Sequence, residues 1–138
     1  MRILFVCTGN TCRSPMAAAL LRSKTRHEAD SAGLSVFCGT PASENAVLAM
    51  QKYNIDISSH LSKPVTPALL SWADLILTMT TAHKAYLLAR YPDVSAKTKT
   101  ILEYVGKTGD IIDPYGGDLS DYEACASALC TLIEEMTL

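Results

Sequence analysis

Apolar positions come in short runs that alternate with amphipathic stretches from one end of the chain to the other. Residues 1–6, MRILFV, are rich in strand formers and suit a strand covered on both faces, as in a parallel sheet. A polar, glycine-containing loop follows at 7–13. Ser14 and Pro15 then read as the N-cap and first residue of a helix running to about Thr25 or Arg26, with Ala17, Leu20 and Leu21 buried. DSAGLSVF at 30–37 predicts a second short strand ending in a loop. From Ser43 to Tyr53 the apolar residues Ala46, Val47, Ala49, Met50 and Tyr53 form a helical stripe. The turn-rich segment NIDISSHLSKPVTP leads to a short helix near 67–71. ADLILTM at 73–79 predicts another buried strand, Thr80 to Arg90 a helix, and TKTIL at 98–102 a last strand. A loop with Gly106, Gly109, Gly116 and Gly117 spans 105–118. Asp118 to Leu138 closes the chain as a helix with an apolar face through Tyr122, Cys125, Leu129 and Leu132.

This alternation predicts an α/β fold, a three-layer sandwich with a mostly parallel sheet and right-handed crossovers. The 138 residues suit a single domain over 1–138. Hydrophobic residues at 49% and charged residues at 19% place the chain among globular proteins rather than disordered ones. A net charge of −2 lacks the basic footprint of a nucleic-acid binder. No run of 18 apolar residues suggests a membrane span, and MRILFVC flows into polar TGNTCRS without a signal-peptide cleavage site. The expectation is a cytoplasmic protein without nucleic-acid or membrane partners. Five cysteines leave at least one thiol unpaired in a monomer, and reduced thiols are expected in that compartment. No Cys-x-x-Cys occurs, and His27, His60 and His83 are scattered, so neither a metal site nor a cofactor is expected.

The chemistry concentrates in VCTGNTCRSP, where Cys7 and Arg13 are separated by five residues between a buried strand and a helix. A helix N-terminus gathers free N–H groups and positive dipole, which suits an anion. Gly9 and Asn10 tolerate left-handed backbone, so the loop can curl its N–H groups inward. Arg13 adds a planar fork able to hold two oxygens of one phosphoryl group. The same field is expected to lower the Cys7 pKa and give a thiolate near neutral pH. A thiolate at the base of a phosphate cradle is a nucleophile aimed at phosphorus. A leaving group then needs a proton. Asp113 in IIDPYGG is held extended by the following proline and is the candidate acid, although Asp-Pro also commonly opens a turn.

CTGNTCRSP, the SAG at 31–33, the His60 region, LTMT at 77–80 and the late DPYGG together resemble the low-molecular-weight protein tyrosine phosphatase family across essentially the whole chain. The resemblance implies a four-stranded parallel sheet flanked by helices. It implies that Cys7 attacks phosphorus and becomes a phosphocysteine. Arg13 and the N–H groups of Thr8, Gly9, Asn10, Thr11 and Cys12 would stabilise the transferring group, and Asp113 would protonate the leaving group and then activate water. Ser14 matches the serine that stabilises the thiolate, Asn10 the asparagine that shapes the loop, and Ser31 and His60 the groups that hold that asparagine. Cys12 matches the second loop cysteine, able to form a disulfide with Cys7 under oxidation. Asp74 matches a residue that orients loops near the site. Phosphorylated protein side chains would be the substrates and inorganic phosphate the product.

Within the family, Thr11 and DPYGG resemble the bacterial protein arginine phosphatase branch. Thr11 stands where the tyrosine-directed branch commonly has a bulkier aliphatic residue, and Gly116 stands where a second aromatic usually follows Tyr115. The arginine branch often places an aromatic two residues after the SAG, where this chain has Ser35, with Phe37 nearby. A phosphotyrosine-specific phosphatase is the alternative. Three other classes fit less well. A phosphocarrier needs its phosphocysteine to survive, so Arg13 and Asp113 oppose it. A thioredoxin-coupled arsenate reductase needs a downstream cysteine pair, yet residues 74–112 contain no cysteine. A non-catalytic phosphate-binding module leaves an intact nucleophile and acid unexplained. Trp72 is expected at a rim of the core, and Cys125 and Cys130 as small buried residues on different helix faces.

Overall fold

A computed structural model describes residues 1–138. Four strands, β1 (Arg2–Cys7), β2 (Glu28–Gly33), β3 (Leu75–Thr78) and β4 (Thr98–Thr100), form one sheet in the order β2-β1-β3-β4. All three pairings are parallel, with Val6 opposite Ala32 on one side and opposite Thr78 on the other. The helices are α1 (Arg13–Lys24), α2 (Glu44–Gln51), α3 (Pro67–Trp72), α4 (Thr81–Arg90), the single turn α5 (Ile101–Tyr104) and α6 (Leu119–Glu135).

The two-residue period of β1 divides the core. Ile3, Phe5 and Cys7 face the larger apolar cluster, shared with α1, α2 and α6, while Leu4 and Val6 face a smaller one that includes Leu70 and Leu87. Burial on both faces explains why β1 is an unbroken apolar run. Each fully buried Phe, Leu or Ile contributes about 1.5–3 kcal/mol. The chain leaves β1 toward β2 on one side and returns to β3 on the other, so the strand order reverses at β1. The crevice beyond the carboxyl end of β1 is therefore the switch point where open α/β sheets bind ligands.

Several boundaries differ from those the sequence predicts. β2 begins at Glu28 and ends at Gly33, before the loop at 34–40. Its last residue has to be glycine, because a Cβ at Gly33 would lie 2.6 Å from both the Thr8 carbonyl oxygen and the Val36 side chain. Backbone pairing of Leu34 with Cys7 and of Ser35 with Thr8 presses that loop onto the cradle. TKTIL gives a strand only over Thr98–Thr100, because Thr100 and Glu103 form a capping box that turns the chain into α5. Asp118, the N-cap of α6, forms the same kind of box with Asp121. Asp74 accepts from the Arg2 amide at 2.8 Å, at the amino end of β1, so it does not orient loops at the opposite end of the sheet. Trp72 is half-buried against the smaller cluster, Cys125 is buried, and Cys130 is only half-buried, with its thiol 3.5 Å from Glu134. No helix is long and apolar enough to cross a membrane.

Candidate active site

Cys7 is the last residue of β1 and Arg13 the first of α1, so the intervening loop turns around the carboxyl end of the strand. A cavity of about 220 Å³ opens there, lined by Cys7 through Arg13 together with Asp113 and Tyr115. The structure thus brings together the candidate loop residues Thr8, Gly9, Asn10, Thr11 and Cys12 with the candidate nucleophile Cys7, the Arg13 guanidinium and the candidate acid Asp113.

Asn10 shapes the loop. Its φ of 56° is left-handed, which asparagine tolerates better than most residues. A directional chain of hydrogen bonds runs through its side chain. The Lys63 amide donates to Asn10 Oδ1 at 3.0 Å, and Asn10 Nδ2 donates to Ser14 Oγ at 2.8 Å. Ser14 Oγ lies 2.9 Å from Cys7 Sγ, so its hydroxyl is a donor to that sulfur whenever the sulfur is a thiolate. The Asn10 amide also donates to that sulfur at 3.3 Å, and His60 donates through Nε2 to the Asn10 carbonyl at 2.7 Å.

Two sequence expectations need correction here. Ser14 does not cap α1, since the N-cap position falls on Cys12 and no side chain caps it. Inside the first turn, the Ser14 hydroxyl is committed to the sulfur instead. Ser31 is buried on β2, but its hydroxyl does not hold Asn10; Lys63 does that, and Ser31 lines a small polar cavity beside His60.

The ionisation of Cys7 also differs from the expected lowered value. At 3% exposure, burial pushes the thiol up, because a buried thiolate loses its hydration. The Ser14 and Asn10 hydrogen bonds and the Arg13 charge pull it down, without outweighing burial. Arg13 helps less than its proximity suggests. Its guanidinium donates to the Ile111 carbonyl at 2.9 Å and sits 3.4 Å from the Asp113 carboxylate, which offsets its charge. Of the groups pulling the thiol down, the Ser14 hydroxyl is the strongest. Ser14→Ala therefore shifts the pH profile of Cys7 alkylation to higher pH, measured with iodoacetamide against wild type. An unchanged profile would show that the hydroxyl does not act on the sulfur.

Those same two Arg13 contacts tie the loop at 105–118 to the cradle across 98 residues of chain. Asp113 stands half-exposed at the cavity mouth, its Oδ1 accepting from the Tyr115 amide at 3.0 Å. Tyr115 is 76% exposed, a rim rather than a wall. Behind this loop lies a second cavity of about 580 Å³, floored by Ala124, Cys125 and Ala128 of α6, so Asp113 and Tyr115 stand between two hollows. Thr11 is half-buried in the cradle wall, with its carbonyl taken by the Ser43 amide at 2.9 Å. Phe37 is fully exposed and does not line the cradle. Cys12 is buried as a free thiol, with Ser43 Oγ at 3.0 Å and Tyr122 Oη at 3.6 Å.

In the sequence His83 is one of three scattered histidines with no motif around it. It lies on the first turn of α4, 8% exposed, with Nε2 2.8 Å from Thr8 Oγ1. Nothing in the local pattern of LTMTTAH marks that contact, which depends on β3 lying beside β1.

Residues 2–137 match a family model described as low molecular weight phosphotyrosine protein phosphatase. The chain is 43% identical to a protein-arginine-phosphatase of Geobacillus stearothermophilus, over 98% of this chain and 93% of that protein. It is 36% identical to the low molecular weight protein-tyrosine-phosphatase PtpB of Staphylococcus haemolyticus, over 99% and 97% of the two chains. Among solved structures, YwlE arginine phosphatase from Geobacillus stearothermophilus superposes with a TM-score of 0.93 at 43% identity, covering 97% of this chain and 88% of that one. A low molecular weight protein tyrosine phosphatase from T. tengcongensis superposes with a TM-score of 0.95 at 45% identity, covering 98% and 96%.

Proposed function

The chain belongs to the low molecular weight phosphotyrosine protein phosphatase family, and from that membership we propose that it dephosphorylates protein side chains, phosphoarginine in preference to phosphotyrosine, through Cys7, Arg13 and Asp113. One observation carries the mechanism. Cys7, Arg13 and Asp113 line one cavity of about 220 Å³, although Asp113 is about a hundred residues away in sequence.

A phosphoryl group entering the cradle meets the loop Cys7–Arg13, whose N–H groups and guanidinium are the donors available to its oxygens. A thiol beside a phosphate dianion carries the same protons as a thiolate beside a monoanion. The sulfur proton can therefore pass to a phosphoryl oxygen, and the Ser14 and Asn10 donors hold the thiolate that results. The sulfur attacks phosphorus from the floor, forming the S–P bond as the P–N bond to the guanidine breaks. The departing nitrogen takes the electron pair and the proton of Asp113, which enters this step as the carboxylic acid and not as the carboxylate paired with Arg13. In the second step Asp113, now a carboxylate, takes a proton from water as its oxygen attacks phosphorus. The P–S bond breaks, the sulfur takes back the proton it had given to the phosphoryl group, and inorganic phosphate leaves with Cys7 a thiol again. Phosphorylated proteins are the partners implied, and no nucleic-acid or cofactor role enters the chemistry.

The preference for phosphoarginine is supported by the arginine-phosphatase relatives and by Thr11 in the cradle wall, two residues before Arg13. A phosphoguanidinium head carries N–H donors, to which the Thr11 hydroxyl offers an acceptor. The exposed Tyr115, followed by Gly116, makes no deep aromatic slot for a phosphotyrosyl ring. Thr11→Ile is expected to lower kcat/KM on a phosphoarginine peptide about tenfold and to preserve or raise it on the phosphotyrosine peptide. Tenfold is about 1.4 kcal/mol, within reach of one misplaced methyl and one lost hydrogen bond. A wild-type preference for phosphotyrosine, or equal effects of Thr11→Ile on both peptides, would overturn the arginine preference and leave the phosphatase assignment standing.

A further inference from the structure

The amino end of α4 touches both halves of the site. Thr80 caps the helix, its Oγ1 accepting from the His83 amide at 3.0 Å. The Thr81 amide donates to Asp110 Oδ1 at 2.7 Å, holding the start of the acid loop, and Ile111 pairs with the Met79 carbonyl at 2.9 Å. From the same turn, His83 reaches Thr8 in the phosphate loop.

His83 Nδ1 is buried and has no hydrogen-bond partner. That orphan atom decides the direction of the Thr8 contact. If Thr8 donated its proton to Nε2, the ring proton would sit on Nδ1 as a buried N–H without an acceptor, which is costly and rare. With the proton on Nε2, Nδ1 is a bare lone pair and the ring donates to Thr8 Oγ1. The Thr8 hydroxyl proton then has no claim on it from His83. Thr8 lines the cradle, so that proton is free to face its interior.

We infer that His83 is a positioning residue, which donates through Nε2 to Thr8 Oγ1 and so turns the Thr8 hydroxyl into an additional donor to the bound phosphoryl group. The ring must stay neutral to leave Nδ1 bare. Burial and the Arg13 charge hold its pKa down at about 4, against the pull of Asp113 and Asp110. His83 is therefore a constant donor through the neutral range rather than a switch. The inference rests on the cradle being a phosphoryl site, and its tests include readouts that need no turnover.

The ¹⁵N spectrum of the His83 ring, in the full chain at neutral pH, should place the proton on Nε2, and a proton on Nδ1 would overturn the inference. Thr8→Val and His83→Leu should each lose on the order of 10–100-fold in kcat/KM, the weight of one hydrogen bond to a charged group. Each should weaken inorganic phosphate binding by a similar factor. The double variant should lose no more than either single one, because both remove the same donor. His83→Gln, whose amide nitrogen reaches the position of Nε2, should recover most of the loss. Additive losses, a fully active His83→Leu, or failure of the glutamine to recover activity would overturn the assignment. If His83→Leu does not fold, Thr8→Val, His83→Gln and the ring spectrum still decide it. A wild type that binds phosphate but turns over no phosphorylated substrate would count against the proposed function, while leaving the tautomer and phosphate titrations to judge His83.

Discussion

Cys7→Ser is expected to lose turnover by at least about 10⁴-fold while keeping the fold and the affinity of the cradle for inorganic phosphate. A hydroxyl is far less acidic than a thiol, and the forces on this atom make the difference larger. Burial already pushes the thiol up, and the Ser14 and Asn10 donors only partly offset it. A serine there starts from a much higher pKa and meets the same desolvation. The anion-binding parts are untouched, since they are the loop N–H groups and Arg13. The check pairs single-turnover kinetics with phosphate titration by calorimetry. Retained steady-state turnover on any phosphorylated peptide would remove Cys7 from the mechanism. Loss of phosphate binding alongside activity would show that the substitution had damaged the cradle instead.

Asp113→Asn is expected to reveal itself through the leaving group. A poor leaving group needs its proton in the transition state, so the loss there should be on the order of 10²–10⁴-fold. An activated aryl phosphate departs as a stable anion and needs little help, so its loss should be small. The geometry sharpens the comparison. Asp113 is paired with Arg13 at 3.4 Å, so its removal also frees the guanidinium. Freeing the guanidinium affects every phosphate monoester alike, whereas proton donation depends on the leaving group. A series of aryl phosphates of graded acidity separates the two, and equal losses across it would make Asp113 a structural partner of Arg13 rather than an acid.

Most of the candidate loop between β1 and α1 was legible because its information is local. A buried strand, a polar turn with Gly9 and Asn10, and a helix start lie within fifteen residues, and each is set by backbone preference or hydrophobic period. Asp113 carried a weaker local sign in Asp-Pro, and the resemblance to a phosphatase family gave it its role. Other features left no local trace. Ser14 reads as a cap by residue type, yet its Oγ accepts from the Asn10 side-chain Nδ2 and lies 2.9 Å from the Cys7 sulfur. Ser31 lies on β2, but the group that holds Asn10 is the Lys63 amide, 53 residues further along the chain than Asn10. His83 is 75 residues from Thr8, and only the neighbouring of β1 and β3 brings them together. The TKTIL run reads as one strand, but the Thr100–Glu103 box ends it early.

By itself the sequence determined the order of strands and helices and the polar curl after β1, and it singled out Cys7 and Arg13 as the candidate nucleophile and guanidinium. These follow from side-chain period, backbone freedom and residue chemistry over spans of a few residues. The tertiary structure alone decided how those groups are charged and aimed. Desolvation of Cys7 comes from its burial in the apolar cluster that β1 shares with α1, α2 and α6, and the Asp113 carboxylate partly cancels the Arg13 charge across 100 residues of chain. Burial and Coulomb interaction depend on distance in space, which strand order and helix packing set and residue spacing does not.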